Sequence, residues 1–364
     1  MTARALLARV LKVSARVLAA VTLLAAMEGQ IFAYGVFLLR HKVEAITQTQ
    51  VSAPTPESVL AALHQPDESN LTFLAVGDIA RCARTDLPGR LLPATSDRLG
   101  WHRPMVADHA DPTASASLAR QWPDAPILAV GDLVYARGTP GEFADCYERA
   151  WGDLRARILP APGNHEYGTP GAFGYFDYWG AQAGPDQRGY YALRWRNWLI
   201  LSLNSEVDAS AGSPQEAWLT QELAKAPGAC IMAFFHKPAH SLQGPRRDQH
   251  NAERLFAQVQ QAAASFVING HNHFYERTRP LDSSGAVVAA GGTIGFTVGT
   301  GGIEGPATHA AALPAQTAAA IFGSIGLLRV QLSDSGFAWW FHQAQDRAVM
   351  DHGTAPCGAQ YTAL

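Results

Sequence analysis

Five short stretches of this chain bring together residue types that can hold metal ions. They are Gly77-Asp78, Gly131-Asp132-Leu133-Val134-Tyr135, Gly163-Asn164-His165-Glu166, His236 after Ala233-Phe234-Phe235, and Gly270-His271-Asn272-His273. Asp78, Asp132, Tyr135, Asn164, His165, His236, His271 and His273 together offer two carboxylates, one phenol, one carboxamide and four imidazoles, which are hard or borderline donors suited to iron, zinc or manganese. A single ion has no use for so many. Two ions about 4 Å apart, sharing a carboxylate and a hydroxide, use them all. His271 and His273 are two residues apart, so on an extended segment they point the same way and can reach neighbouring ions. A Gly-Asp or a lone His after an apolar run is by itself ordinary turn or surface chemistry. The adjacent amide and imidazole of Asn164-His165 and the paired histidines are more specific, and the ordered set of five is more specific still.

These residues lie where an apolar run hands over to a loop. LTFLAV, from Leu71, leads into Gly77-Asp78, and PILAV, from Pro126, leads into Gly131-Asp132. Short apolar runs bounded by turn residues read as buried strands, and ligands of open α/β sheets collect beyond the carboxyl ends of strands. A glycine before each polar residue lets the backbone turn sharply. Further strands are predicted at Tyr190 to Arg196, Trp198 to Ser202, Cys230 to Phe235, Phe266 to Asn269, Gly295 to Val298, Ile325 to Leu332 and Phe337 to Phe341. Helices are predicted at Ser213 to Ala226, opened by a Ser cap and a proline, and at Asn251 to Ala264. Ala307 to Ala320 reads as an Ala-rich surface loop or helix. Early strands spaced by longer segments, then hairpin-like strands, predict an α/β domain with mixed sheets.

The order of motifs resembles the calcineurin-like metallophosphoesterases, and more narrowly the purple acid phosphatases, with their GD, GDxxY, GNH[ED], strand-end His and GHxHxYER. Here the last reads GHNHFYER, residues 270–277. The resemblance runs from Leu71 to Arg279, and SPQEAWL within it and GTGG beyond it also look like bacterial members of that group. Many members of the wider family carry Asp-x-His in the first motif. This chain has Asp78-Ile79-Ala80, and Tyr135 three residues after Asp132; loss of the imidazole and presence of the phenol go together in purple acid phosphatases.

The resemblance implies a sandwich of two mixed β-sheets flanked by helices, and a phosphoric ester hydrolase of the acid phosphatase kind in which a metal-activated hydroxide attacks phosphorus. It places Asp78, Asp132, Tyr135 and His273 on a first ion, expected as Fe(III), and Asp132, Asn164, His236 and His271 on a second, divalent ion (Fe, Zn or Mn). His165 falls beside the substrate, as an acid for the leaving oxygen or a phosphate contact. His240 is a second catalytic candidate, and His250, Arg246 and Arg247 are weaker pocket candidates. The aromatic run Tyr167 to Trp179 lines the cleft or packs over the sheet edge. The expected partner is a phosphorylated small molecule. Hydrolysis of diesters or nucleotides at the same site is an alternative, as is a non-catalytic, membrane-anchored binding protein.

Residues 1–16 carry Arg4, Arg9, Lys12 and Arg16, and the run Val17 to Leu39 is long enough, as a helix, to cross a hydrocarbon core of roughly 30 Å. The basic flank predicts a cytoplasmic N-terminus and a catalytic domain outside the cytoplasm, periplasmic or extracellular. The alternative is a cleaved signal peptide whose apolar core ends near Met27, which gives a secreted protein. Residues 40–69 read as a linker with a short helix around Glu57 to Leu63, residues 70–345 as the catalytic domain and 346–364 as a C-terminal tail. The net charge of −3 in 364 residues offers no basic stripe for nucleic acid. No CxxC pair occurs among the four cysteines, which argues against a thiolate zinc site. Cys82 and Cys146 could pair in an oxidising compartment, and Cys230 reads as a buried strand residue.

Overall fold

The computed structural model describes residues 54–63, 69–81, 111–243, 249–303, 305–308 and 312–357. The N-terminal apolar run, Arg246, Arg247 and Cys82 lie outside the described residues. No helix among the described residues is long and apolar enough to cross a membrane.

Two mixed sheets pack face to face. The first holds six strands in the order β15-β14-β13-β1-β3-β5: β1 (Leu71–Val76), β3 (Ile127–Val130), β5 (Ile158–Ala161), β13 (Gly326–Leu332), β14 (Gly336–Gln343) and β15 (Val349–Pro356). The second holds seven in the order β12-β10-β11-β9-β8-β7-β6: β6 (Tyr191–Trp195), β7 (Trp198–Ser202), β8 (Cys230–Phe234), β9 (Phe266–Asn269), β10 (Tyr275–Thr278), β11 (Ile294–Val298) and β12 (Thr317–Ile321). A two-stranded ribbon joins β2 (Ala80–Arg81) to β4 (Val134–Tyr135). The helices are α1 (Pro56–Leu63), α2 (Pro112–Ala119), α3 (Phe173–Trp179), α4 (Pro214–Ala224) and α5 (His250–Gln261), with short helical turns between them.

Side-chain alternation along the strands sorts the layers. Phe73, Leu128 and Leu159 meet Ile200, Met232, Phe234 and Ile268 between the sheets. Leu199, Leu201, Ile231 and Val267 face the other way, onto Leu219 of α4 and Leu255, Phe256 and Val259 of α5. Both helices start and lie as their sequences demand. The Ser213 hydroxyl caps α4 by accepting from Glu216 N at 3.3 Å, with Pro214 in the first turn. In α5, Ala252, Leu255, Phe256 and Val259 form one buried stripe at helical spacing.

β1, β3 and β5 are parallel neighbours, and β8 runs parallel to β9. The loops at the carboxyl ends of β1, β3 and β5 therefore share one side of their sheet, and those of β8 and β9 share one side of theirs.

Besides the short ribbon strands β2 and β4, four strands of the two large sheets depart from the sequence reading. β5 contains Pro160 and escapes notice for that reason, but it is the edge strand, where a missing N–H is tolerated. β10 is hidden inside the GHNHFYER motif. β12 occupies the Ala-rich stretch expected as a loop or helix; alanine has little strand preference, and the ladder to β10 decides its state. β15 lies in the segment expected as a tail. It pairs along β14, and Cys357 just beyond it is bonded to Cys230 of β8, with Cα atoms 5.3 Å apart. That bond ties the two sheets together across 127 residues of chain, and a loop of that length makes it worth roughly 3–5 kcal/mol. Cys230 is thus buried in a strand, as its setting predicts, and is also covalently paired, which sequence did not show. Among the described residues no cysteine is free.

Candidate functional site

Three residues of the predicted set sit in left-handed backbone. Asp78 (φ 59°), Asp132 (φ 52°) and His271 (φ 70°) each follow a strand end. Non-glycine residues rarely adopt this conformation, and where they do the surroundings must over-determine it. The surroundings here are the other motifs. Asp78 Oδ2 accepts from His271 N at 2.8 Å, and Asp132 Oδ1 accepts from His165 N at 2.8 Å. The glycines serve a purpose beyond turning. Gly131 does have φ 86°, but a Cβ on Gly163 would lie 2.3 Å from Asp132 Oδ1 and 2.8 Å from His236 Cγ, so side-chain crowding in the site is what excludes it.

The donors fall into two groups that share Asp132. In the first, the Tyr135 hydroxyl is 2.7 Å from Asp78 Oδ1, 3.1 Å from Asp132 Oδ2 and 3.2 Å from His273 Nε2. His273 Nε2 is in turn 3.3 Å from Asp78 Oδ1. In the second, His236 Nε2 is 3.1 Å from Asp132 Oδ2 and 3.2 Å from Asn164 Oδ1, and ligand atoms of Asp132, His236 and His271 lie within 4.8 Å of one another. The carbonyl of Val130 takes His236 Nδ1–H at 3.0 Å, which directs Nε2 to the cluster. His165 stands at the rim, 31% exposed, with Nε2 3.8 Å from Asp132 Oδ2 and its ring against that of Tyr135, centroids 4.1 Å apart.

Asp78 and Asp132 are both buried. Burial works to raise their pKa values, yet both are lowered, Asp78 by the hydrogen bond and charge of His273, and Asp132 by His236. Conversely, burial opposes the charge on His236, but Asp132 and Asp78 carry its pKa up to about 10. Burial and the same two carboxylates push the Tyr135 phenol well above its ordinary value. Buried negative charge is therefore balanced here by imidazolium and phenolic protons, which a bound cation would replace.

A family model described as calcineurin-like phosphoesterase matches residues 71–275. The chain belongs to that family. Solved structures agree on the fold. A purple acid phosphatase from yellow lupin (Lupinus luteus) seeds superposes with a TM-score of 0.63 at 16% identity, over 80% of this chain and 55% of that one. GAP50, described as the anchor in the inner membrane complex of Plasmodium, gives 0.54 at 14% identity, over 80% and 90%. A PhoD structure gives 0.50 at 12%, over 80% and 70%. The chain thus spans about half of the lupin protein. No curated protein matches by sequence.

The remaining predicted residues have other surroundings. His240 packs edge-on to Phe256 of α5, ring centroids 4.9 Å apart. Its Nε2 is buried without a hydrogen-bond partner, and burial lowers its pKa. Its contacts are with Phe256 of α5 and the turn at Gly285. His250 is exposed and pairs with Glu253 at 3.3 Å. In the aromatic run, Tyr175, Phe176 and Trp179 are buried and serve packing, while Tyr167 and Tyr178 are half-buried.

Sequence reasoning gave no role to two glutamates that hold the site's backbone. Buried Glu166 accepts from Asp132 N (2.9 Å) and Gly163 N (2.7 Å) with Oε2, and from Leu133 N (2.8 Å) and Val134 N (3.3 Å) with Oε1. One carboxylate thereby locks the second motif to the third. Burial and the charge of Asp132 push its pKa up to about 8 against the pull of those donors. The acidic residue in the GNH[ED] pattern was the available signal. Glu142 does the same for the loop after Tyr135 and is taken up below.

Proposed function

We propose that this phosphoesterase is a metal-dependent phosphoric ester hydrolase of the acid phosphatase kind. The observation that carries the reading is the Tyr135 hydroxyl set among Asp78, Asp132 and His273, in a chain with alanine at position 80, where relatives place an imidazole. The donors fit two ions. Asp132 belongs to both groups, each group adds oxygen and nitrogen donors, and the buried carboxylates call for compensating cations. Asp78, Asp132, Tyr135 and His273 would hold one ion, with the phenolate favouring Fe(III). Asp132, Asn164, His236 and His271 would hold a divalent one. Ions bound there supply the charge that lowers the pKa of a water and offsets charge on phosphoryl oxygens. The protein's own part is to fix the donors through Glu166 and strained strand ends, and to hold His165 at the rim where it can pass a proton to the leaving oxygen.

The test is turnover by the full-length chain loaded with iron and zinc. An activated aryl phosphate monoester is hydrolysed and chelation abolishes it. His165→Ala loses most turnover and keeps its metals, while Asn164→Ala loses metal. A metal-loaded chain inert on mono- and diesters alike would sink the reading in favour of a non-catalytic binding protein. Iron is tested separately by a visible phenolate-to-iron band, lost in Tyr135→Phe; an active, iron-loaded wild type without the band would remove the tyrosine from the ligand set.

We further propose that the domain works outside the cytoplasm, held by or cleaved from its N-terminal apolar run. The Cys230–Cys357 bond supports an oxidising compartment. A reporter active only outside the cytoplasm, fused after Leu364, should be active; silence there with a responsive cytoplasmic reporter contradicts export.

A further inference from the structure

The loop between Tyr135 and the short helical turn Pro140–Glu142 is held by a single buried carboxylate. Glu142 Oε1 accepts from Ala136 N at 2.6 Å, and Oε2 accepts from Thr139 N at 2.8 Å and Arg137 N at 3.2 Å. Thr139 Oγ1 closes the arrangement by accepting from Glu142 N at 3.2 Å, a capping box. Glu142 is 3% exposed, so its acceptor sites are committed to this loop. A helical turn of three residues does not need three backbone bonds from one side chain; what these bonds fix is the path of residues 136–139.

The carbonyl on that path meets His165. Its Nδ1 lies 2.6 Å from Ala136 O. A carbonyl can only accept, so Nδ1 carries the hydrogen, and Nε2 is left as the nitrogen that faces Asp132 and the cluster. The Tyr135 ring supports one side of the imidazole, and Arg137 ties the loop to the turn after His165 through Gly168 O at 3.0 Å.

We propose that Glu142 is the positioning residue for His165: by fixing the Ala136 carbonyl it sets which imidazole nitrogen faces the substrate and where. The inference rests on the hydrolase reading above. In the step it serves, water oxygen forms a new bond to phosphorus and the ester P–O bond breaks with its electron pair on the leaving oxygen. That oxygen takes the proton from His165 Nε2 when the ring carries both protons, and the proton released by the water restores the ring. An alkoxide leaving group needs this proton far more than a nitrophenolate does.

The test compares full-length wild type, Glu142→Gln and Glu142→Ala, loaded with zinc, on p-nitrophenyl phosphate and on an unactivated alkyl phosphate. Gln keeps the volume and one acceptor, so the loop still folds. Turnover of the alkyl ester should fall at least about tenfold more than that of the aryl ester in the Ala variant, part of the roughly 10²–10⁴ a positioned acid supplies. KM and metal content should stay unchanged, and Gln should fall between. Equal losses on both esters, or loss of metal, would overturn the proposal, because Glu142 would then serve Tyr135 or the fold alone. A second readout is independent of turnover. In ¹⁵N-histidine-labelled, zinc-loaded protein, the hydrogen-bonded Nδ1–H of His165, assigned by its absence in His165→Ala, should vanish or shift upfield in Glu142→Ala. An unchanged resonance overturns the proposal even if the wild type hydrolyses neither ester, an outcome that would separately defeat the hydrolase reading.

Discussion

The stretch GHNHFYER divides into two regions with opposite employment. In Gly270–His273 the backbone leaves β9, His271 takes φ 70°, and its polar groups converge with those of four other loops. In Tyr275–Arg277 the backbone is β10, paired on both sides, and every polar group is answered by the protein. Tyr275 stacks on Phe341, centroids 4.1 Å apart, and its hydroxyl donates to Asp351 Oδ2 at 2.7 Å. Arg277 grips the same carboxylate through Nε at 2.8 Å and Nη2 at 3.0 Å. Glu276 accepts from Leu242 N at 3.0 Å and Thr317 Oγ1 at 2.6 Å. Eight contiguous residues thus serve first a site and then a fold. What separates them is whether their polar groups point at one another or at partners supplied by the rest of the chain.

If that division holds, substitutions in the two regions should separate activity from stability. The largest effect belongs to His271→Ala and His273→Ala. Each should lower kcat by about 10³-fold, several kcal/mol of lost metal-derived stabilisation, while the melting temperature of the metal-free protein moves by no more than a degree or two. A matching collapse of thermal stability would erase the distinction.

On the other side, Cys357→Ser releases β15 from β8 and should cost about 3–5 kcal/mol, a fall in Tm of roughly 6–10 °C. Turnover per folded molecule should be kept. A smaller loss follows Asp351→Ala, which strands Arg277 and the Tyr275 hydroxyl; about 2 kcal/mol is expected, again with metal content intact. Calorimetry beside metal analysis checks both, and loss of metal in either variant would show that the two regions are coupled.

The smallest effect is one of pH. Burial works to raise the pKa of Asp351, but hydrogen bonds from Arg277 and Tyr275 and the Arg277 charge outweigh it, so the folded value lies below the ordinary one. A depressed folded pKa contributes stability above the unfolded value, about 3.9, and that contribution disappears as pH falls through the folded value. The acid limb of the stability curve should therefore be shallower in Asp351→Asn than in wild type below about pH 4. Parallel limbs would show that Asp351 carries no pH-linked stability.

The same division explains what could be read from sequence. The donors were legible because imidazole, phenol and carboxylate beside glycine at strand ends have little packing value, and their order is itself information. The central strands were legible from uninterrupted apolar runs such as LTFLAV and CIMAF. β12 and β15 were not: TAAAI and VMDHGTAP carry no strand pattern, and the ladders on neighbouring strands determine them. His240 was named from the resemblance, and its ring packs on Phe256 of α5, a contact that no motif in the sequence announces. Glu142 was missed because a glutamate that accepts backbone N–H groups looks, in sequence, like any surface acid; Glu166 stood inside the GNH[ED] pattern, but the pattern does not say that its carboxylate binds the backbone of the second motif. Left-handed φ at Asp78, Asp132 and His271 leaves no trace in composition at all.

The central claim is that one cluster of seven side chains holds two ions about the shared Asp132. The direct measurement is metal stoichiometry of the full-length chain after loading with iron and zinc, for wild type and three variants. The account predicts about two ions per wild-type chain, about one in Asp78→Asn and in His236→Ala, and none firmly held in Asp132→Asn. A wild type that binds a single ion, or an Asp132→Asn variant that keeps both, would contradict it.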